Sequence, residues 1–287
     1  MHIGFIGLGD QGGPMAQRIL ERGFDLSVWA RRADICQKWK AMGAKVAVDP
    51  VALAADSDLL CLCVTGDGDV RDLVLRSGLL DVMRPGSMIA IHSTINPDTC
   101  RELAATAAPL GVTILDMPVS GSGHAALAGT LLVMTGGEGR ALDRMRPVLE
   151  CYAGTIVPMG AVGSAMHAKL VNNLLAVVNI GQAFRALMLG RSVGVDPHAL
   201  RAAIRAGTGR SFAMDLIARL QLPARAEHVR AILAKDVALA IESVPKDERQ
   251  YWQCLADVGL DALARLSSGE VAVLPERERV DVASGSR

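Results

Sequence analysis

The segment Lys169-Leu170-Val171-Asn172-Asn173 sets an ammonium and two amides into an otherwise greasy stretch. Lys169 and Asn173 are spaced i and i+4, so in a helix they share a face, with Asn172 beside them. Polar groups in such surroundings are costly unless satisfied. Apolar neighbours lower a lysine pKa toward working pH, which suits an acid/base catalyst. A lysine reaching for the surface, with amides bonded to nearby carbonyls, fits the same pattern. A second group of residues points to phosphate. Gly7-Leu8-Gly9-Asp10-Gln11-Gly12 is a GxGxxG between a predicted strand, Ile3–Ile6, and a predicted helix, Gly13–Arg22. One glycine makes the tight turn, one lets a pyrophosphate approach the backbone, and one lets helix pack close to strand. The helix N-terminus then offers unpaired N–H groups and partial positive charge to an anion.

Three further groups carry potential chemistry. A dinucleotide-binding unit without a 2′-phosphate usually places Asp or Glu about 20 residues after its glycines. Here the corresponding segment reads Val28-Trp29-Ala30-Arg31-Arg32, with no acid. Two guanidinium groups suit a 2′-phosphate, so NADP is preferred over NAD, which stays open. Asp116-Met117-Pro118-Val119-Ser120-Gly121-Ser122 follows a predicted parallel strand. Open α/β sheets bind ligands at such a place, and small hydroxyls with backbone N–H groups suit a small carboxylate. Taken alone, the same residues also make an ordinary turn. Lys235-Asp236 lies in a helical stretch and by itself reads as a solvated pair. The six histidines form no triad or metal-ligand spacing, and His92 and His124 fall near strand ends without an assigned role.

These residues need a scaffold, and the first half of the chain predicts one. Short apolar runs at Ile3–Ile6, Asp25–Ala30, Leu59–Val64, Ser87–Ile91 and Val112–Asp116 alternate with helical runs such as Ala33–Met42 and Asp98–Ala108. Such alternation means βαβ units and a parallel sheet. Leu131–Thr135 and Thr155–Pro158 read as further strands. Val162–Gly190 then reads as one long helix, apolar over most of its circumference, of about 29 residues and roughly 43 Å. Such a helix is buried in a core or at a subunit interface. Helices follow at Pro197–Ala206, Ser211–Leu220, His228–Ser243 and Asp247–Leu266, and the tail from Ser267 reads as a frayed end. The expected fold is therefore α/β. A dinucleotide-binding domain over residues 1–161 is joined by the long helix to an all-helical domain over 162–287.

Composition narrows the classes. The chain has 287 residues, 51% of them apolar, which supplies material for a sizeable core. Thirty Lys and Arg balance thirty Asp and Glu, so there is no basic excess to suggest a nucleic-acid partner. No uninterrupted apolar run reaches the roughly 18 residues of a membrane helix. The N-terminus lacks a basic region and a cleavage site, so no signal peptide is expected. Six scattered cysteines, without a CxxC pair or Cys/His ligand spacing, read as reduced thiols of a cytoplasmic protein with no bound metal.

Taken together, the motifs resemble those of the β-hydroxyacid dehydrogenases, the family of 3-hydroxyisobutyrate dehydrogenase and the glyoxylate/succinic semialdehyde reductases. The resemblance runs in order through Gly4–Ala16, Ser93-Thr94 with Pro97, Asp116–Ser122, Ala128–Leu131, Met134–Gly137, Lys169-x-x-Asn172-Asn173, Gly207–Ser211 and Lys235-Asp236. It implies a Rossmann-type N-terminal domain and hydride transfer between NADP(H) or NAD(H) and a small 3-hydroxy acid or its semialdehyde. It also implies roles. Gly7, Leu8, Gly9, Asp10, Gln11 and Gly12 would hold the pyrophosphate, and Arg31 and Arg32 the ribose phosphate. Val64, Thr65 and Thr94 would approach the nicotinamide. Ser120, Gly121 and Ser122 would grip the substrate carboxylate with Asn173. Lys169 would be the general acid/base. Lys235 on the cofactor side and Asp236 on the substrate side would close the cleft. Ser122 stands where many members have glycine, and His228 where an aromatic residue is common; both bear on the substrate. A homodimer or homotetramer is expected, with the long helix at a symmetric interface. Two alternatives stand beside this reading: an imine reductase-like enzyme, against which Lys169 argues, and a non-catalytic dinucleotide sensor.

Overall fold

In a computed structural model, the structure describes residues 1–269 and 274. The first part of the chain runs β1 (His2–Ile6), α1 (Gly12–Glu21), β2 (Asp25–Trp29), α2 (Ala33–Ala41), β3 (Lys45–Val46), α3 (Pro50–Asp56), β4 (Leu59–Leu62), α4 (Asp67–Arg71), α5 (Leu79–Val82), β5 (Met88–Ile91), α6 (Pro97–Ala107) and β6 (Thr113–Asp116). It continues through β7 (Val119–Ser120), α7 (Gly123–Leu127), β8 (Leu131–Gly136), α8 (Gly139–Leu149), β9 (Ala153–Gly160) and α9 (Ser164–Ser192). Helices α10 (Pro197–Ala206), α11 (Ala213–Arg219), α12 (Pro223–Ser243) and α13 (Arg249–Ser267) follow. The chain forms two compact units, Met1–Val171 and Asn172 onward, dividing within α9. The expected boundary at residues 161–162 lies at the start of that helix.

The sheet of the first unit has the order β3-β2-β1-β4-β5-β6-β8-β7, with β9 beside β8. From β3 to β6 every pairing is parallel, as the βαβ alternation predicts. Beyond β6 the sheet is mixed: β8 runs antiparallel to both β6 and β7. The sequence reading gave residues 119–120 to a loop, because a two-residue strand has no periodicity to read. The buried strands feed two cores. Ile3, Phe5, Leu59 and Cys61 enter one, and Ile6, Leu60 and Leu62 enter the other. Alternate residues of a strand point to opposite faces, so a strand covered on both sides must be apolar throughout.

Helix α9 has the length and composition to cross a membrane, which a search for uninterrupted apolar runs does not reveal; half of its most apolar window is buried inside the molecule. Its first turns belong to the first unit, where Met166 joins the second of the two sheet cores. Its later turns build the core of the second unit through Ile180, Phe184 and Leu187, with Met214, Ile217, Leu263 and Leu266. Gly181 and Gly259 set how closely α9 and α13 cross. An added Cβ at Gly259 would stand 2.1 Å from the Val177 carbonyl oxygen, and one at Gly181 2.8 Å from the Gly259 nitrogen. Gly181 within α9 is required by that crossing. The frayed end expected from Ser267 falls mostly outside the described residues.

Candidate active site

The glycine loop joins β1 to α1. Gly7 has φ +97, and an added Cβ would lie 2.1 Å from the Cys63 carbonyl oxygen, so only glycine fits the turn. Gly9 has nothing within 4 Å of its own missing Cβ: its open side is where a phosphate can approach. The side-chain amide nitrogen of Gln11 is buried without a hydrogen-bond partner, a donor at the same loop. The loop borders a cleft of about 690 Å³ lined also by Trp29, Arg31, Arg32, Val64 and Thr65. Arg31 and Arg32 are exposed, and Arg32 lies 3.8 Å from Asp34. Both guanidinium groups therefore stand at the β2 end of the cleft, and the Trp29-Ala30-Arg31-Arg32 segment that leaves β2 carries no acidic residue. Strand order 3-2-1-4-5 puts this loop between the two halves of a bound dinucleotide. The residues present fit such a cofactor.

The other half of the cleft is held by groups that the sequence reading left unassigned. Ser93 is buried, and its hydroxyl accepts a 2.8 Å hydrogen bond from the Val64 N–H. That bond ties the chain after β4 to the chain after β5, and so holds Val64 and Thr65 relative to Thr94. Asp67 adds a second tie: one carboxylate oxygen accepts from Asn96 N–H at 3.0 Å and the other from Arg71 at 2.8 Å. Cys63, partly exposed at the cleft, has its thiol pushed up to about 12 by burial. His92 points into the interior. It is buried, shares a 2.8 Å hydrogen bond with the Met117 carbonyl and stacks on Phe5, and burial pulls its pKa down to about 4.

Ser120 ends β7, paired opposite Leu132, and leads into Gly121 and Ser122, both exposed. Asp116, four positions before Ser120, is wholly buried, and its carboxylate accepts backbone N–H groups from the start of α9. Lys169 lies one turn further along that helix and is 9% exposed. The next turn carries Asn173, whose amide donates to Asp236 at 2.6 Å and accepts from Asn172 at 3.1 Å. A carboxylate only accepts, so this pairing fixes which way the Asn173 amide faces. The second Asp236 oxygen lies 3.5 Å from Lys235 Nζ. Asp236 is 1% exposed, whereas the Lys235 side chain is 38% exposed. His124 and His228 are both exposed. Among the described residues there is no group of His, Cys, Asp and Glu that could hold a metal ion.

A glycine loop between β1 and α1 of a Rossmann-type sheet, beside a cleft of dinucleotide size, defines a dinucleotide-binding protein. Comparison with known proteins narrows the class. Residues 2–178 match the NAD binding domain of 6-phosphogluconate dehydrogenase, and residues 163–250 match the NAD-binding domain of NADP-dependent 3-hydroxyisobutyrate dehydrogenase. A probable mitochondrial 3-hydroxyisobutyrate dehydrogenase of Dictyostelium discoideum is 32% identical over 84% of this chain and 78% of that protein. The mitochondrial 3-hydroxyisobutyrate dehydrogenase of Mus musculus is 32% identical over 74% of this chain and 64% of its own length. Among solved structures, the Mycobacterium tuberculosis 3-hydroxyisobutyrate dehydrogenase with L-serine is 28% identical, with a TM-score of 0.78 over 93% of this chain and 94% of that one. Psf3 in complex with NADP+ and 2-OPP is 27% identical, with a TM-score of 0.81 over 94% of this chain and 100% of that one. The chain belongs to the 3-hydroxyisobutyrate dehydrogenase-like β-hydroxyacid dehydrogenases, NAD(P)-dependent oxidoreductases that act on CH–OH groups.

Proposed function

We propose that this protein oxidises a small 3-hydroxy acid of the 3-hydroxyisobutyrate type, or reduces the matching semialdehyde, with NADP(H) preferred and Lys169 as the general acid/base. The observation that carries the reading is a buried lysine on the helix whose start is tied to Asp116, four positions before Ser120 in the chain. The bound nicotinamide supplies the hydride acceptor or donor. In oxidation, Lys169 Nζ takes the proton of the substrate hydroxyl as the adjacent C–H bond breaks. In reduction, the ammonium returns that proton and offsets charge developing on the carbonyl oxygen. The Ser120 and Ser122 hydroxyls and the Gly121 N–H supply donors for the substrate carboxylate. Arg31 and Arg32 meet the ribose phosphate as planar donors.

The test is absorbance at 340 nm with 3-hydroxyisobutyrate, 3-hydroxypropionate, tartronate semialdehyde, succinic semialdehyde, glyoxylate and a cyclic imine, each with both cofactors. Turnover of a 3-hydroxy acid or semialdehyde is expected, falling about a thousandfold in Lys169→Ala, a typical general acid/base contribution. Turnover of the imine alone, or full activity in Lys169→Ala, overturns the reading.

A further inference from the structure

Asp116 is an unusual helix cap. Helix α9 begins at Ser164, and its first N–H groups have no partners within the helix. Such groups are commonly met by a Ser, Thr, Asp or Asn just ahead of the helix. Here the cap arrives from 47 residues away in sequence: Asp116 Oδ1 accepts from Gly163 N–H at 2.9 Å and Oδ2 from Met166 N–H at 3.0 Å. The carboxylate is 0% exposed. Two glycines make its socket. Gly136 pairs with Asp116 across the β6–β8 ladder, and an added Cβ there would stand 2.3 Å from Asp116 Oδ1. Gly163 has φ +91, and an added Cβ would lie 3.1 Å from the Pro97 carbonyl oxygen.

A buried carboxylate held only by backbone N–H groups is an expensive way to cap a helix. Burial raises the Asp116 pKa, and the N–H groups of Gly163 and Met166 counter only part of that rise. A neutral Ser or Asn at the helix start would cap it without a buried charge, so stability alone gives no reason for this arrangement. What the carboxylate alone achieves is a rigid tie between two pieces of chain. On one side is β6, four positions before Ser120. On the other is the first turn of α9, three positions before Lys169.

We propose that Asp116 is a positioning residue: it sets the place of Lys169 relative to the Ser120-Gly121-Ser122 segment by fixing the start of α9. The proposal rests on the reading of Lys169 as the acid/base. An error of about 1 Å in such a group lowers turnover by up to about a hundredfold. Asp116→Asn keeps the side-chain shape but can accept only one of the two bonds. Gly136→Ala keeps Asp116 and pushes its carboxylate from the socket, so two independent variants make the same displacement.

The experiment is a double-mutant cycle. Asp116→Asn and Gly136→Ala are each measured alone and combined with Lys169→Ala, using the best substrate of the panel above. NADPH affinity is followed through the fluorescence of Trp29, which lines the cleft. Each single variant is expected to lower kcat at least about tenfold, with the NADPH Kd within about twofold of wild type. In the Lys169→Ala background neither should lower the residual rate further, and added methylamine should rescue Lys169→Ala and both double variants equally, because a free amine needs no helix to place it. Hydrogen exchange of the Gly163 and Met166 amides should quicken in both variants whether or not a substrate has been found. Unchanged exchange, or equal losses in both backgrounds, overturns the proposal. So does an unchanged kcat in Asp116→Asn when Lys169→Ala is inactive, and that result leaves the Lys169 reading standing. Wild-type turnover in Lys169→Ala removes that reading and this proposal together.

Discussion

Arg31 and Arg32 give the clearest test of cofactor choice. They stand exposed at the edge of the cleft with one loose ion pair between them and Asp34, so their charge is available to a phosphate. Replacing both by Ala is expected to weaken NADPH at least about tenfold, the loss of one charge-assisted pair, and to leave NADH within about twofold. Isothermal titration with both cofactors measures this, and equal losses for both would refute a phosphate role. His92 makes a different statement, about stability. Its pKa is pulled down to about 4 in the folded protein by burial, against about 6.5 when unfolded. Between these values the unfolded chain carries the proton and the folded one does not, so stability falls as pH drops from 6.5 toward 4. The loss is about 3 kcal/mol across that window. Urea midpoints measured at pH 7, 5.5 and 4.5 should decline in wild type and decline less in His92→Gln. Cys63, with its thiol at about 12, carries almost no thiolate at neutral pH, and iodoacetamide should label the exposed Cys254 first.

Helix α9 contributes residues to both units. Its first turn is capped by Asp116, its second and third turns carry Lys169 and the two asparagines, and its later turns form the core of the second unit. It crosses α13 closely at Gly181 and Gly259. Gly259→Ala forces a methyl to within 2.1 Å of the Val177 carbonyl oxygen. Overpacking of this kind costs about 1–3 kcal/mol, and the variant should melt several degrees lower. An unchanged melting temperature would show that the two helices separate freely.

At the level of the assembly, α9 leaves apolar side chains in water. Val171 is 66% exposed, Leu175 52% and Leu189 65%, and Val193 just beyond the helix is 68%. Large apolar groups gathered on one element suit a symmetric contact with a second copy of the chain. Sedimentation velocity at micromolar concentration should give a dimer or larger, and Leu189→Glu with Val193→Glu should shift it toward the monomer. A monomeric wild type would leave that surface to another role.

Periodicity and glycine placement carried most of the architecture. The parallel strands β1, β2, β4, β5 and β6 and the long helix were legible because doubly buried strands must be apolar throughout and a helix repeats every 3.6 residues. The glycine loop was legible because its turn admits no side chain. Short pieces were not: β3 and β7, two residues each, owe their existence to a neighbour in the sheet rather than to any local preference. The antiparallel turn of the sheet at β8 was equally hidden, since strand direction leaves no trace in composition. The same division holds at the site. Lys169, Asn172 and Asn173 stand out because polar residues in a greasy helix are conspicuous. Asp67 does not, and the sequence motifs that contain Ser93 and Asp116 give no sign of what these two bind, because each acts through a partner 29 to 50 residues away. Such a pairing exists only once the chain has folded, and tertiary contact alone turns an ordinary Asp at the end of a strand into the cap of a distant helix.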